Sequence, residues 1–202
     1  MLRVILALVS VAFLASCGTG ESVWASDERI KQVMYRDPGP AKLTLFTMVS
    51  NSTGSGAHTS LMINGSQRVI FDPAGSFKHP SIPERNDVVY GITPQIADVY
   101  TRYHARETYH VVVQELEVSA EVAEVLLQRA MAYGAVSKAH CTNSTSSILK
   151  GVPGFENIRV TYFPNNLAKQ FGALPGVTEQ ALYEYDADDN SRVLRQWVPQ
   201  EG

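Results

Sequence analysis

The chain has 202 residues, of which 45% are hydrophobic and 18% charged, and a formal net charge of −3. That composition suits one globular domain with a real core. No basic patch marks a nucleic-acid partner, and no apolar run reaches the roughly 20 residues a membrane-spanning helix needs.

Residues 1–16 read as a secretory signal: Arg3, the apolar run from Val4 to Leu14, then small residues before Cys17. Leu14-Ala15-Ser16-Cys17 resembles the bacterial lipobox, which implies that Cys17 becomes the lipidated first residue. The expected partner is then the membrane, held through lipid on Cys17, where more than one acyl chain gives stable attachment. Gly18 follows, without the Asp that marks inner-membrane retention. The expected location is therefore the bacterial cell envelope, on the periplasmic face of the outer membrane.

Residues 17–40 are polar, end in Asp37-Pro38-Gly39-Pro40, and read as a tether with a short helix. Residues 41–202 form a single domain. Strands are expected over 43–49 (LTLFTMV) and 57–63 (AHTSLMI). Asn64-Gly65 is a strong hairpin signal that returns the chain into 67–71 (QRVIF), closed by Asp72-Pro73-Ala74-Gly75. Residues 80–87 read as loop. Residues 95–106 form a helix with Ile96, Val99, Tyr100 and Tyr103 on one face. Residues 110–116 form another strand. Ser119 caps a helix through Tyr133, with Val122, Val125, Leu126 and Ala130 on its stripe and Gly134 at its end. Residues 141–149 suit a further helix, 159–162 a late strand and 164–171 a short helix opened by Pro164. The acidic stretch 183–190 reads as solvated surface. The fold class is α+β, a small antiparallel sheet packed against helices.

Cys17 and Cys141 are the only cysteines, so lipidation of the first leaves one thiol and no internal disulfide. A lone exported thiol is either a liability or a nucleophile. A thiol attacks acyl carbon as thiolate, which a helix N-terminus or a nearby imidazole favours. Thr142-Asn143-Ser144-Thr145 are helix-starting residues, so the Cys141 sulfur sits at a helix mouth, where Asn143 and Ser144 can shape an oxyanion site.

Five histidines compete as base: His58, His79, His104, His110 and His140. His140 adjoins Cys141 but points elsewhere, and His79 lies in a Pro-rich loop. His104 and His110 have no hairpin partner. His58 has one. A two-residue Asn64-Gly65 turn pairs it with Phe71, one residue from Asp72, so a bulge or a different turn is needed to bring Asp72 beside it. A carboxylate there would orient the ring and stabilise imidazolium. No His, Cys or Asp spacing supports a metal, no cofactor is implied, and Ser147-x-x-Lys150 lacks the companion elements of a serine acyltransferase.

The segments GAHTSLMI, SQRVIFDPAG and HCTNSTSSIL, in the order His, polar residue, Cys, resemble the circularly permuted papain-like thiol enzymes. Those include permuted NlpC-like hydrolases and lecithin:retinol acyltransferase-like proteins. The resemblance implies a permuted papain-like fold with Cys141 as nucleophile, His58 as base and Asp72 as orienting group. The expected activity is a membrane-anchored cysteine hydrolase or acyltransferase acting on an amide or ester bond. Peptides of the cell envelope, peptidoglycan among them, are the first substrate class and lipid acyl groups the second. The alternative is a non-catalytic envelope lipoprotein that uses the same fold as a binding module.

Overall fold

The computed structural model describes residue 20 and residues 22–197, so the signal segment and Cys17 lie outside the described residues. The architecture is α+β, with seven antiparallel strands in one open sheet and six helices among the described residues. The chain runs α1 (Asp27–Val33), β1 (Lys42–Ser50), β2 (Gly56–Asn64), β3 (Arg68–Phe71), β4 (Glu84–Arg85) and β5 (Val88–Tyr90). It continues α2 (Pro94–His104), β6 (Tyr109–Glu117), α3 (Ala120–Tyr133), α4 (Cys141–Leu149), α5 (Pro164–Gly172), β7 (Thr178–Leu182) and α6 (Ser191–Gln196). Strand order is β4-β5-β3-β2-β1-β6-β7.

The central strands carry apolar residues on both pleat faces, and helices cover both. Leu43, Leu45, Leu61, Ile63 and Phe71 point to one side, against Leu126 and Leu127 of α3, Ile148 and Leu149 of α4, and Leu167 and Phe171 of α5. Phe46, Met48, Met62, Ile70 and Val111 point to the other, against Ile96, Tyr100 and Tyr103 of α2. Alternation along a strand assigns each residue to its face. The buried stripe of α3 is Ala123, Leu126, Leu127 and Ala130, rotated from the expected one, which leaves Val125 exposed.

The sheet is wider than the small one expected. β4 and β5 have two and three residues, too short to show a period. β7 (TEQAL) is an edge strand with four of its five residues exposed, so it has no apolar face to read. The strand expected over 159–162 does not form. Arg159 N donates to Gln170 Oε1 (2.7 Å) and Thr161 N to Ser146 Oγ (3.1 Å), so side chains of α5 and α4 take the amides a ladder would need.

The stretch read as a tether is seated on the sheet. Ala25 N donates to Glu84 O (3.0 Å), Arg85 Nε to Ala25 O (2.6 Å), and Arg68 Nη1 pairs with Asp37 at 2.6 Å. The segment thereby covers the β4 edge, whose unpaired backbone would otherwise be open to another strand.

One turn matters for function. The β2–β3 register pairs Asn64 with Arg68 and Leu61 with Phe71. Gly65, Ser66 and Gln67 therefore form a three-residue connection, not the two-residue turn expected from Asn64-Gly65. Ser66 N donates to Glu124 Oε2 of α3 (3.4 Å), which ties the loop to the helix below it.

Candidate active site

Helix α4 begins at Cys141 itself. The chain reaches it through Ala139, which holds a left-handed φ of 67°, a conformation that a non-glycine residue keeps only where its surroundings enforce it. His140 is the N-cap, but it provides no side-chain cap. Its Nδ1 is 3.0 Å from Lys138 O instead. Ser144 N is the first amide in the helical ladder, donating to His140 O (2.9 Å). The amides of Cys141, Thr142 and Asn143 therefore precede the ladder and carry the positive end of the helix dipole.

The polar residues of α4 let it lie close to β2. Thr59 Oγ1 donates to Thr142 Oγ1 (3.2 Å), Thr145 Oγ1 to Cys141 O (3.0 Å) and Ser146 Oγ to Thr142 O (2.7 Å). Each hydroxyl is satisfied although Thr142, Thr145 and Ser146 are buried. This sets the start of the helix beside the open end of β2, where His58 sits. The two expected oxyanion residues part company here: Asn143 stays half-buried in the first turn, whereas Ser144 is fully buried and its amide is taken.

His58 Nε2 lies 2.7 Å from Asp72 Oδ1. A carboxylate only accepts, so Nε2 carries the proton and Nδ1 is left for Cys141. Tyr100 Oη is 2.9 Å from the same Asp72 oxygen and 2.6 Å from Ser60 Oγ. A phenol has one proton, so it goes to Asp72, and Ser60 donates to Tyr100 in turn. The Asp72 backbone is fixed as well, its N donating to Asp87 O (2.8 Å) and its O accepting from Gly75 N (2.9 Å). A Cβ on Gly75 would stand 1.9 Å from Asp72 Oδ2. Only glycine lets that turn close over the carboxylate. Asp87 also accepts from Val136 N (2.6 Å), in the segment leading to Cys141, so it joins both halves of the site.

Electrostatics follow from this geometry. Burial pushes the Cys141 thiol up, but hydrogen bonding and charge from His58, the Thr59 backbone and the Thr142 hydroxyl outweigh it and bring the thiol to about 7. Burial pulls His58 down, and Asp72 with Cys141 raises it to about 10. Burial pushes Asp72 up, while the His58 contact, aided by Tyr100, holds its carboxyl below the usual range. Near neutral pH His58 is therefore imidazolium and the Cys141 thiol is about half ionised, a state in which sulfur can act as a nucleophile.

Two of the remaining histidines are held by other side chains. His79 Nδ1 is 2.7 Å from Ser81 Oγ, and His110 Nδ1 is 2.7 Å from Asn51 Oδ1. His104 has no hairpin partner in the sequence, yet its ring stacks on His58 with centroids 6.1 Å apart. Its Nδ1 donates to Tyr100 O (2.9 Å), and burial holds it down to about 4, hence neutral. Ser60 and Tyr100 are not singled out as site residues by the sequence, and His104 is singled out only as a rival base. Two signals existed: Ser60 is two residues from His58 on the same strand face, and Tyr100 is one helical turn from His104.

Beside His58 a cleft of about 420 Å³ opens between Gly75, Tyr103, His104 and Arg106. Among the described residues no cluster of three His, Cys, Asp or Glu side chains could hold a metal ion. None of the described helices is long and apolar enough to cross a membrane. Comparison with family models, curated proteins and solved structures finds no match to this chain.

Proposed function

We propose that this protein is a membrane-anchored cysteine hydrolase or acyltransferase of the circularly permuted papain-like kind, acting on an amide or ester bond. One observation carries the reading: the ring of His58 lies 2.7 Å from a buried carboxylate, Asp72, and the same ring lowers the pKa of the thiol at the first position of a helix, Cys141. The thiolate attacks the carbonyl carbon, and the oxygen that gains charge faces the unladdered amides of α4. His58 imidazolium gives its proton to the leaving nitrogen or oxygen as the bond to carbon breaks, which leaves a thioester on Cys141. Neutral His58 then takes a proton from water, or from another acceptor, as it attacks the thioester and releases the thiolate. Asp72 keeps the ring in the tautomer both steps need. Lipid on Cys17 places this chemistry at the bacterial envelope, on the outer membrane, which makes envelope peptides the first substrate class.

The test is intact-mass detection of an acyl adduct after mixing with activated esters and amides. The adduct is expected on Cys141, absent in Cys141→Ser and much slower in His58→Ala. No adduct, together with alkylation no faster than that of free cysteine, would overturn the reading. Cys17→Ser is expected to release the protein from membranes, and continued membrane retention would remove the anchor from the proposal.

A further inference from the structure

Arg106 lies in the turn between α2 and β6 and is only 5% exposed. It walls the cleft beside His58. Of its three side-chain nitrogens, Nη1 reaches Asp186 at 3.3 Å, whereas Nε and Nη2 are buried with no partner. Buried polar groups are nearly always hydrogen-bonded, so two orphaned donors on one guanidinium ask for an acceptor. Asp186 is a poor one, since its side chain is 75% exposed and offers a single contact, the kind of pair that water screens and that opens readily. Among the described residues Asp188 is the one carboxylate that lines the cleft, and it is already taken by Thr108 N (3.1 Å) and Thr108 Oγ1 (2.5 Å).

The segment bearing these groups is the acidic stretch expected to be free surface. It is mostly exposed, as expected, and it also runs along the arginines: Glu184 pairs with Arg102, Asp186 with Arg106, and Glu107 N donates to Asp186 O (3.0 Å). A piece of this chain thus sets carboxylates against these arginines.

We infer that the cleft selects acyl substrates bearing a free carboxylate, with Arg106 as the specificity residue and Asp186 as the internal carboxylate that the substrate displaces. The guanidinium fork matches a carboxylate with two parallel bonds, so a substrate carboxylate in place of Asp186 would hold Nη1 and one of the donors now left over. This inference rests on the cysteine-enzyme reading for its substrate and on Arg106 alone for its anion site, so the two are tested separately.

The first arm measures nitrophenolate release from 4-nitrophenyl monoesters of glutarate, adipate and suberate, each against its neutral methyl diester counterpart. At one chain length or more the charged ester is expected to show a kcat/KM about tenfold higher or better, the scale of one charge-assisted contact. Arg106→Lys should bring the ratio toward one. Asp186→Asn, on the exposed partner, should lower KM for the charged ester. Release at equal rates from charged and neutral esters of every length would overturn the anion site and leave the cysteine enzyme standing. The second arm titrates adipate into the Cys141→Ser protein by calorimetry. Binding that Arg106→Gln abolishes and Asp186→Asn tightens supports the site even if no ester reacts. No binding to either Cys141→Ser or its Asp186→Asn derivative overturns it.

Discussion

His58 and Asp72 point to the same face of the sheet because three residues, not two, join their strands. With Leu61 opposite Phe71, continuing the register places Ser60 opposite Asp72 and His58 one diagonal step away. Diagonal neighbours on one face lie within reach of long side chains. A two-residue turn would have sent the two groups to opposite faces, since a one-residue slip inverts every side chain.

The pair predicts the effect of Asp72→Asn. The amide keeps the size of the buried side chain but cannot hold imidazolium or enforce the ring tautomer. Acyl transfer is expected to fall by about 10²- to 10⁴-fold, the scale seen when such an orienting carboxylate is neutralised, while far-UV circular dichroism stays unchanged. A loss under threefold would remove Asp72 from the mechanism.

Alkylation of Cys141 by iodoacetamide reports the thiolate directly. The rate is expected to rise with pH through an inflection near 7, where the thiol is brought by its His58 contact. In His58→Ala the partner is gone while burial and the Thr59 and Thr142 contacts remain, so the inflection should move up toward or past the ordinary thiol value of about 8.5. The sign is firm: loss of a cation beside a thiolate raises the pKa. Matching profiles in the two proteins would show that His58 does not govern the sulfur.

The sequence exposes the parts of this site that follow from local rules. Cys141 starts a helix because Thr142, Asn143, Ser144 and Thr145 favour helix starts and Ile148-Leu149 anchors its far end. The strand carrying His58 and the turn carrying Asp72 are likewise visible. Hidden from view is the register, set by Gly65, Ser66 and Gln67 and by Glu124, 58 positions from Ser66, which holds Ser66 N. Tyr100 read as core, and it is buried, yet its hydroxyl serves Asp72. The acidic stretch reads as surface and is mostly exposed, but the pairing of Asp186 and Glu184 with arginines comes from the fold, not from either segment alone.

Gly75→Ala separates positioning from stability. The added methyl meets the Asp72 carboxylate at 1.9 Å, so Asp72 must move and its contact to His58 must lengthen. A loss of reactivity approaching that of Asp72→Asn is expected, along with an upward shift in the Cys141 inflection. Gly54→Ala is the control. Gly54 has a φ of 69° with open space around its Cβ direction, so the change should cost about 1 kcal/mol of backbone strain and leave the inflection in place. Equal effects of the two substitutions on the inflection would discount the cradle around Asp72.

Tyr100→Phe tests whether the buried network stabilises the fold as well as the site. Removing the hydroxyl takes one donor from Asp72 Oδ1 and leaves Ser60 Oγ without its partner. Deleting one member of a buried bonded set costs about 1–3 kcal/mol, measured as a lower urea midpoint at pH 7. The pH dependence follows from Asp72, whose folded pKa lies below its ordinary 3.8. A depressed carboxyl contributes stability that is present above its unfolded value and lost as pH falls through the folded one. Without Tyr100 the folded pKa moves back up, so the variant has less of this stability to lose. The gap between wild type and Tyr100→Phe should therefore narrow as pH falls below about 4. A gap that stays constant from pH 7 to pH 3 would mean that Tyr100 serves packing alone and that its bond to the Asp72 carboxylate adds no stability.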